Sequence, residues 1–533
     1  MPDTAPDPGA TDTPEATDSA DSTDTTDSLR AAYALGASPT LWELVERRAA
    51  LTPGRRALIQ GDRVLTFGAL RDRAERTAAG LWRMGVRPGS VVAWQLPTRV
   101  ETVVLTVALA RVGAVQSPVI PFYRDREVGF ALRESKAAFF AVPGEWRGFD
   151  HTAMARRLGA HGVFTAYDRL PDDDPAVLPA PPAAGTDVRW IYWTSGTTSD
   201  PKGVLHTDRS LIAGGSCLAH ALRLTPDDVG SIAFPFAHIG GLDYLVMLLL
   251  YGFPAVLFET FALPGALDTY RAHGVTTAGG STAFYSMFLA AQRELPPGER
   301  IVPTLRLLAG GGAPKPPELY HAVVRELGCA LTHGYGMTEV PMITMGSPDD
   351  TAEQLAETEG RPPEGMEIRV VDGEIRLRGE AVCQGYLDPA QTAEAFDADG
   401  FLRTGDLGHL TASGHLVITG RRKDVIIRKG ENISAKEIED LLHRHPAVRD
   451  AAVIGLPDSE RGERVCAVVE VRAGAGGTYQ ELTLETVTAH LRAEGLAVHK
   501  LPEQLETVEA LPRNETLRKV LKYKLRERYG TMK

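Results

Sequence analysis

Cysteine is scarce in this sequence: 533 residues include only four, Cys217, Cys329, Cys383 and Cys466. They lie far apart and form no Cys-x-x-Cys pair, which excludes a zinc ribbon or a disulfide framework as the device that organises the fold. Scattered thiols of this kind are typical of a reducing compartment. We therefore expect a cytoplasmic protein.

Long apolar runs are also missing. The longest, residues 245–258, contains Gly252 and Pro254 and is shorter than the roughly 18 residues that predict a membrane span. The N-terminus is acidic and polar, so it does not have the pattern of a secretory or transit signal. The sequence therefore predicts no membrane span.

Positive charge is not in excess. The formal net charge is −12, and eight acidic residues precede the first basic residue, Arg30; without them the net charge would be −4. No basic stripe of the kind that binds nucleic acid is present, so we expect no nucleic-acid partner. Residues 1–30 consist mainly of Asp, Thr, Ser, Ala and Pro, and this composition predicts a disordered acidic tail.

The most informative segment is a short turn after an apolar, strand-like run, at residues 192–204. It combines hydroxyl side chains, two glycines and one lysine. Backbone N–H groups and hydroxyls in such a turn bind an anion, and the lysine adds charge. The spacing is not that of the Walker form. The candidate phosphate-binding residues are Thr194, Ser195, Gly196, Thr197, Thr198 and Lys202.

Further motifs follow along the chain. They are Phe236-Ala-His238, Gly310-Gly-Gly-Ala-Pro314, Gly334-Tyr-Gly-Met-Thr-Glu339, Arg403-Thr-Gly-Asp406, Gly420-Arg-Arg-Lys-Asp424, Lys429-Gly-Glu-Asn432 and Leu511-Pro-Arg-Asn514. In this order, and with the turn before them, they resemble the acyl-adenylate-forming (ANL) superfamily of acyl- and aryl-CoA synthetases, peptide-synthetase adenylation domains and luciferases. The resemblance covers nearly everything after residue 38, and it is to the acyl- and aryl-CoA synthetase type.

Strands and helices alternate to about residue 350, which favours an α/β fold with parallel, doubly wound sheets. From Glu367 onward, short strands and turns indicate a small β subdomain. The resemblance implies a large adenylation domain, residues 31–422, followed by a small mobile α+β C-terminal domain, residues 423–533, with the catalytic lysine. Ser434 and Glu437 have the spacing of a capping box at the start of a helix in that small domain.

The resemblance implies an ATP site and assigns its residues. Tyr335, beside Gly336, is similar to the ring that stacks on adenine. Asp406 resembles the acid that accepts hydrogen bonds from both ribose hydroxyls, which an ionised carboxylate can do. Arg421 resembles a second ribose or phosphate contact. Gly310, Gly311 and Gly312 would let the base and the acyl group approach the backbone, and Ala313 and Pro314 complete this part of the ATP site.

The family's chemistry is the attack of a carboxylate oxygen on the α-phosphorus of ATP, which needs positioning and electrostatic stabilisation. Thr338 resembles the family's contact to the α-phosphate. Glu339 is the candidate ligand of Mg²⁺, since this ion is usually held by one or two carboxylates together with phosphates. His238 matches the position beside the carboxylate of the acid.

The candidate pocket for the acid follows His238. Relatives that activate amino acids tend to place an Asp just after this position, and this chain has Ile239, which disfavours an α-amino acid. An apolar fatty or aryl acid is favoured, while Asp243 leaves room for a polar substituent. The candidate pocket residues are Ile239, Gly240, Asp243, Phe284 and Tyr285.

Lys519 is the candidate catalytic lysine. The family ends in Pro-Arg-x-x-x-Gly-Lys-Val-x-Lys, and the Val-Leu-Lys after Lys519 fixes the alignment. Arg518 replaces the glycine, and the segment is one residue longer. Lys522 and Lys524 are therefore alternatives. An ammonium between carboxylate and phosphate is the point charge that the transition state needs.

Lys423 occupies the family's hinge position. There the small domain is expected to rotate between two half-reactions. The resemblance implies that the first forms acyl-AMP and pyrophosphate from the acid and ATP, and that the second transfers the acyl group to the thiol of CoA. Two alternatives stay open: a carrier-protein thiol or another nucleophile as the acceptor, and a catalytically silent paralogue that only binds nucleotide.

Overall fold

The computed structural model describes five stretches of the chain, residues 31–194, 201–313, 315–472, 482–514 and 518–530. Several predicted features lie outside them: the tail of residues 1–30, Ser195, Gly196, Thr197, Thr198 and Pro314. Over the described stretches, no helix has both the length and the apolar composition needed to cross a lipid bilayer.

Sixteen helices occur in the described chain. They are α1 (31–36), α2 (Leu41–Leu51), α3 (Phe67–Arg83), α4 (Val100–Val112), α5 (Asp125–Ser135), α6 (His151–Arg157), α7 (Asp208–Ala221), α8 (Ile239–Tyr251), α9 (Leu263–His273), α10 (Thr282–Arg293), α11 (Pro317–Leu327), α12 (Ala352–Glu357), α13 (Pro389–Ala395), α14 (Ala435–His443), α15 (Leu484–Ala493) and α16 (Lys522–Tyr529).

Three sheets form the first part of the chain. The first has the order β11 (Gly230–Ile232), β12 (Ala255–Leu257), β1 (Arg56–Gln60), β2 (Arg63–Thr66). The second has the order β19 (Gly385–Tyr386), β10 (Lys202–Thr207), β9 (Val188–Thr194), β4 (Val115–Pro118), β3 (Val91–Trp94), β5 (Phe139–Val142), β8 (Val163–Thr165). The third has the order β13 (Thr277–Gly280), β14 (Leu307–Gly311), β15 (Ala330–Met337), β16 (Val340–Met345).

The remaining strands form two sheets and a hairpin. The fourth sheet has the order β17 (Met366–Val371), β18 (Glu374–Gly379), β20 (Leu402–Leu410), β21 (Leu416–Arg421). The fifth has the order β23 (Glu431–Ser434), β22 (Val425–Arg428), β25 (Gly462–Val471), β24 (Val448–Asp458), with β26 (Gln504–Val508) on β25. The hairpin is β6 (Glu145–Trp146) with β7 (Phe149–Asp150).

Helices cover both faces of the second sheet. Successive residues of a strand point to opposite faces, so neighbouring residues of one strand belong to two different cores. On β3, Val92 belongs to the core that contains α4 and α8, while Ala93 belongs to the core that contains α5 and α6. Strands β8, β5, β3, β4 and β9 are parallel, and β10 and β19 are antiparallel additions. The predicted doubly wound α/β class is confirmed.

The fourth sheet is entirely antiparallel and forms the small β unit that the sequence indicates. After it, the fifth sheet packs with α14 and α15 around a core of its own. Half of the predicted capping box forms: Ser434 Oγ accepts a hydrogen bond from the Glu437 N–H at 3.3 Å. The Glu437 carboxylate pairs instead with Lys500 Nζ at 2.8 Å, because an ammonium outcompetes a backbone N–H for it.

Two glycines at the third position of a helix give a matched test of close packing. A Cβ added at Gly241 of α8 would lie 2.2 Å from the Phe236 carbonyl oxygen, whereas one added at Gly265 of α9 would meet nothing within 4 Å. We expect Gly241→Ala to lower the free energy of unfolding by about 1–3 kcal/mol, and Gly265→Ala to raise it by about 0.5–1 kcal/mol. Urea unfolding of both variants checks this, and equal effects would contradict the packing described.

Candidate active site

A cleft of about 2400 Å³ lies between the third and fourth sheets on one side and the C-terminal part of the chain on the other. Many of the residues singled out by the motifs line it. They are Gly312, Ala313, Tyr335, Gly336, Asp406, Arg421, Lys423 and Lys519.

The glycines at the end of β14 are required by the neighbouring strands. A Cβ at Gly310 would lie 2.4 Å from the Gly280 carbonyl oxygen, and one at Gly311 would lie 2.4 Å from the Gly334 carbonyl oxygen. Gly312 has a φ of 81°, which disfavours residues with a side chain. Bare backbone therefore borders the cleft here, and the approach of a base or an acyl group to it stays a prediction.

Asp406 is the centre of a three-residue contact. Its Oδ2 accepts a hydrogen bond from the Tyr335 hydroxyl, and its Oδ1 lies 2.8 Å from Arg421 Nε. Asp406 and Arg421 face each other across β20 and β21. Burial and the carboxylate raise the pKa of Tyr335 well above its usual value, so the phenol stays a donor. The sequence predicted a stacking ring at Tyr335, and the structure adds that its hydroxyl holds the carboxylate.

Glu339 is held by Tyr386, a residue that sequence reasoning missed. The Tyr386 hydroxyl donates to Glu339 Oε1 at 2.8 Å, and Lys202 Nζ lies 5.2 Å from the centre of the Tyr386 ring. Tyr386 reaches this place because β19 pairs with β10, opposite Val204. No local pattern signals such a contact between residues 47 positions apart.

The surroundings of Glu339 fit a Mg²⁺ ion that arrives with phosphates. Its Oε2 accepts no hydrogen bond from the residues that the structure describes. Within those residues, no group of three or more His, Cys, Asp or Glu side chains could hold a metal by itself. One carboxylate with phosphate oxygens and water is a usual ligand set for Mg²⁺.

The turn between β15 and β16 is anchored by His206, which the sequence did not single out. Its Nε2 donates to the Thr338 carbonyl oxygen at 2.8 Å. Burial lowers the pKa of His206 to about 4, so the ring is neutral and its proton is available for this bond. This bond thus fixes the backbone at Thr338, next to Glu339.

His238 caps the N-terminus of α8. Its Nδ1 accepts a hydrogen bond from the Gly240 N–H at 3.2 Å, so the proton of the neutral ring is on Nε2. Burial first, and then the charge of Lys519, lower the pKa of His238 to about 4. His238 therefore offers a neutral N–H donor near the lysine.

Lys519 is positioned by its backbone. Its N–H donates to Asn514 Oδ1, its carbonyl oxygen accepts from the Asn514 N–H, and both distances are 2.9 Å. Arg513 donates to the Arg518 carbonyl oxygen at 2.6 Å and also pairs with Asp450. Arg518 has a φ of 59°, so an arginine adopts the left-handed conformation where the family has glycine, at a cost of about 1–2 kcal/mol.

The charge of Lys519 is strongly influenced by its neighbours. Burial lowers the pKa of its ammonium, and the nearby cations of Arg421 and Lys423 lower it further. The carboxylates of Asp406 and Glu339 act in the opposite sense, and the resulting pKa is about 8. The alternative Lys522 pairs with Glu439 at 2.7 Å, and Lys524 is exposed. Lys519 and Lys522 both line the cleft, and the ion pair of Lys522 with Glu439 favours Lys519 as the catalytic lysine.

The predicted acid pocket is only partly at the cleft. Of its five residues, Phe284 lines the cleft, beside Phe234, which the sequence did not indicate. Ile239 and Tyr285 are packed in two hydrophobic cores and Asp243 is buried, so these three do not form the cleft surface. The helical period of α8 and α10 does not reveal which face meets a ligand.

We expect the Lys519 amine to titrate near pH 8, since burial and neighbouring cations disfavour the ammonium. The charge should be present below pH 8 and lost above it, whereas an ordinary lysine keeps it beyond pH 10. Trace acetylation across this pH range, quantified by mass spectrometry, gives the midpoint. Lys519→Arg should remove the labelled site, and a midpoint above pH 10 would be inconsistent with the geometry.

Comparison with known proteins gives evidence that is independent of the geometry. A family model described as "AMP-binding enzyme" matches residues 45–387, and one described as "AMP-binding enzyme C-terminal domain" matches residues 437–517. Medium-chain fatty-acid–CoA ligase of Escherichia coli (strain K12) is 30% identical over 531 residues, covering 93% of this chain and 92% of that protein. Salicyl-AMP ligase / salicyl-S-ArCP synthetase of Mycobacterium tuberculosis (strain ATCC 25618 / H37Rv) is 33% identical, covering 84% and 82%.

A solved structure is similar over nearly the whole chain. ATP-bound MatB from Rhodopseudomonas palustris superposes with a TM-score of 0.82 at 30% identity, covering 92% of this chain and 99% of that one.

Proposed function

This chain belongs to the AMP-binding enzyme family, and from that premise we propose that it is an ATP-dependent acid–thiol ligase. It converts a carboxylic acid and ATP to acyl-AMP and pyrophosphate, and then transfers the acyl group to CoA. The observation that carries the proposal is the meeting of Lys519 with the Tyr335–Asp406–Arg421 contact at one cleft. The acid is fatty or aryl, as the names of the relatives suggest.

In the first half-reaction a carboxylate oxygen bonds to the α-phosphorus, and the bond from that phosphorus to the bridging oxygen breaks, so that pyrophosphate leaves. Two anions must meet, and a preorganised positive charge lowers that barrier. Lys519 supplies the charge. His238 Nε2–H donates to the second carboxylate oxygen, and Thr338 contacts the α-phosphate.

Residues of the cleft walls bind the nucleotide. Asp406 accepts hydrogen bonds from the ribose hydroxyls, with Arg421 beside it, and Tyr335 borders the adenine. Thr194 and Lys202, which are neighbours across β9 and β10, would contact the phosphates. Glu339 would hold Mg²⁺, which screens the phosphate charge when bound.

In the second half-reaction the CoA thiolate attacks the acyl carbonyl carbon, and the bond to the AMP oxygen breaks. A carrier-protein thiol is the second candidate acceptor, because one relative is named a salicyl-S-ArCP synthetase. A catalytically silent paralogue is disfavoured, since Lys202, Thr338, Glu339 and Asp406 are all present. Pyrophosphate exchange with a panel of acids, followed by product analysis with and without CoA, distinguishes these possibilities.

We also propose the division into a large domain of residues 31–422 and a small, mobile one of residues 423–533. The fourth sheet ends at Arg421, a short 3₁₀ segment spans Arg422–Asp424, and the fifth sheet begins at Val425. Lys423 is therefore placed between the two.

Three of the four cysteines are buried, in keeping with a cytoplasmic enzyme that acts on small molecules.

Lys519→Ala should slow pyrophosphate exchange by about 10²–10³-fold, as the loss of one preorganised charge does in other enzymes. Lys524→Ala, at an exposed lysine of the same segment, serves as the matched control and should keep wild-type exchange. Circular dichroism confirms folding. If Lys522→Ala abolishes exchange in a folded protein while Lys519→Ala does not, the catalytic lysine is Lys522.

Lys423→Pro should separate the two half-reactions. Proline fixes φ near −65° and removes an N–H, so a hinge at this residue would be restricted to one orientation. Lys519 already faces the cleft, so we expect single-turnover acyl-AMP formation to survive better than steady-state acyl-CoA production. Lys423→Ala keeps the backbone free and controls for the lost charge. If the proline variant, and not the alanine variant, loses both steps equally, the result would count against a hinge at Lys423.

A further inference from the structure

The chain on the two sides of the catalytic lysine pairs with itself. The Asn514 N–H donates to the Lys519 carbonyl oxygen at 2.9 Å, and Arg513 faces Val520 in an antiparallel bridge. Leu511 is buried in a hydrophobic core, and Val520 packs against the same core. Apolar packing therefore anchors the start of this paired segment, whereas Lys519 lies beyond it, where polar contacts hold the backbone.

The residue directly before the lysine has an unfavourable backbone conformation. Arg518 has a φ of 59°, in the left-handed region that residues with a side chain rarely adopt. Such a conformation persists only where its surroundings hold it. The Arg518 carbonyl oxygen accepts a hydrogen bond from Arg513 Nη1 at 2.6 Å, so Arg513 supports the turn that leads into Lys519.

Asp450, on β24, fixes the guanidinium that makes this bond. Arg513 Nη2 donates to Asp450 Oδ2, while Nη1 of the same group donates to the Arg518 carbonyl oxygen. The guanidinium is planar and its N–H groups form a rigid fork, so the position of the carboxylate determines that of the carbonyl oxygen. The other carboxylate oxygen, Oδ1, accepts from the Ala451 N–H at 2.8 Å, which ties the side chain to the fifth sheet.

Arg513 depends on this carboxylate for its place. The side chains of Asp450 and Arg513 are only 24% and 22% exposed, so water screens the pair incompletely. Burial first, and then the charges of Arg518 and Arg449, lower the pKa of Arg513, which means that these surroundings disfavour its charge. The Asp450 carboxylate offsets this, and its loss would release the guanidinium to water.

We propose that Asp450 is a positioning residue for the formation of acyl-AMP: through Arg513 it holds the Arg518 carbonyl group, and with it the direction in which Lys519 enters the cleft. The inference rests on the proposed function, in which Lys519 serves the first half-reaction. Asp450 and Arg513 belong to the same proposed domain as Lys519, so the contact moves with the lysine. Transfer of the acyl group to CoA should not depend on it.

Asp450→Asn keeps the shape of the side chain and removes its charge. It should lower kcat of pyrophosphate exchange with octanoate or salicylate by about 10–100-fold, because a misplacement of about 1 Å can cost that much in rate. KM for ATP and the transfer from synthetic octanoyl-AMP or salicyl-AMP to CoA should be unchanged. Asp458→Asn, on the same strand and also paired with an arginine, is the matched control and should keep wild-type exchange.

The acetylation midpoint of Lys519 gives a readout that does not depend on activity. Burial holds the pKa of this lysine at about 8. In Asp450→Asn a released lysine would reach water, so the midpoint should rise by at least about one pH unit towards the ordinary value of about 10.4. The loss of a carboxylate alone would lower the midpoint, so the direction of the change separates release of the backbone from a change of charge.

Arg518→Gly provides a rescue. Glycine adopts a positive φ without steric cost, so the turn should depend less on Arg513. The double variant Asp450→Asn with Arg518→Gly should exchange about 5-fold faster than Asp450→Asn, as expected when the penalty of the left-handed conformation is removed.

An unchanged kcat or an unchanged midpoint in folded Asp450→Asn would overturn the inference, and so would a double variant that is no faster. A raised KM for ATP at unchanged kcat would also overturn it, since the pair would then bind nucleotide. If Asp450→Asn does not fold, Arg513→Lys keeps the charge without the rigid fork and should show the same loss of kcat and rise of the midpoint. Exchange with no acid by the wild-type enzyme would instead contradict the proposed function, while the midpoint would still test the contact.

Discussion

The carboxylate of Asp406 is the interaction on which the rest of the site depends. It accepts a hydrogen bond from Tyr335 of β15 and pairs with Arg421 of β21, while it belongs itself to β20. One buried carboxylate thus joins the third sheet to the fourth. Because both partners bond to the same carboxylate, the contact couples the positions of the two sheets and helps the cleft to keep its shape.

Positive charge converges on that carboxylate from two directions. Arg421 and Lys423 come from the end of the fourth sheet, and Lys519 comes from the last part of the chain. Burial and Arg421 lower the pKa of both lysines, which means that the cations repel one another where they are placed. A bound anion would relieve this repulsion, because it favours the charged form of each lysine. The cluster is thus better suited to a cleft filled with phosphate than to an empty one.

The fold class could be predicted from the sequence, and the order of the motifs predicts which residues share the site. Tyr335 and Asp406, 71 residues apart, were assigned to one nucleotide because the order of the motifs indicated the family. The doubly wound sheet followed from alternating strands and helices. The contacts Tyr386–Glu339 and His206–Thr338 were missed, because each depends on strand pairing between distant segments. Ile239 and Tyr285 were placed at the pocket although they pack in the core, because sequence spacing gives the faces of a helix but not what each face meets.

The glycine backbone at the end of β14 limits how this protein can diversify. Gly310 and Gly311 cannot acquire a side chain unless a neighbouring strand moves, so the strand that leads to Gly312 at the cleft is closed to change by single substitutions. Another part of the cleft wall, formed by α10 and the aromatic residues Phe234 and Phe284, consists of side chains and carries no such restriction. Evolution of the acid preference, or its redesign in the laboratory, is therefore channelled to the helix wall, while the strand wall keeps the part of the site that every substrate shares.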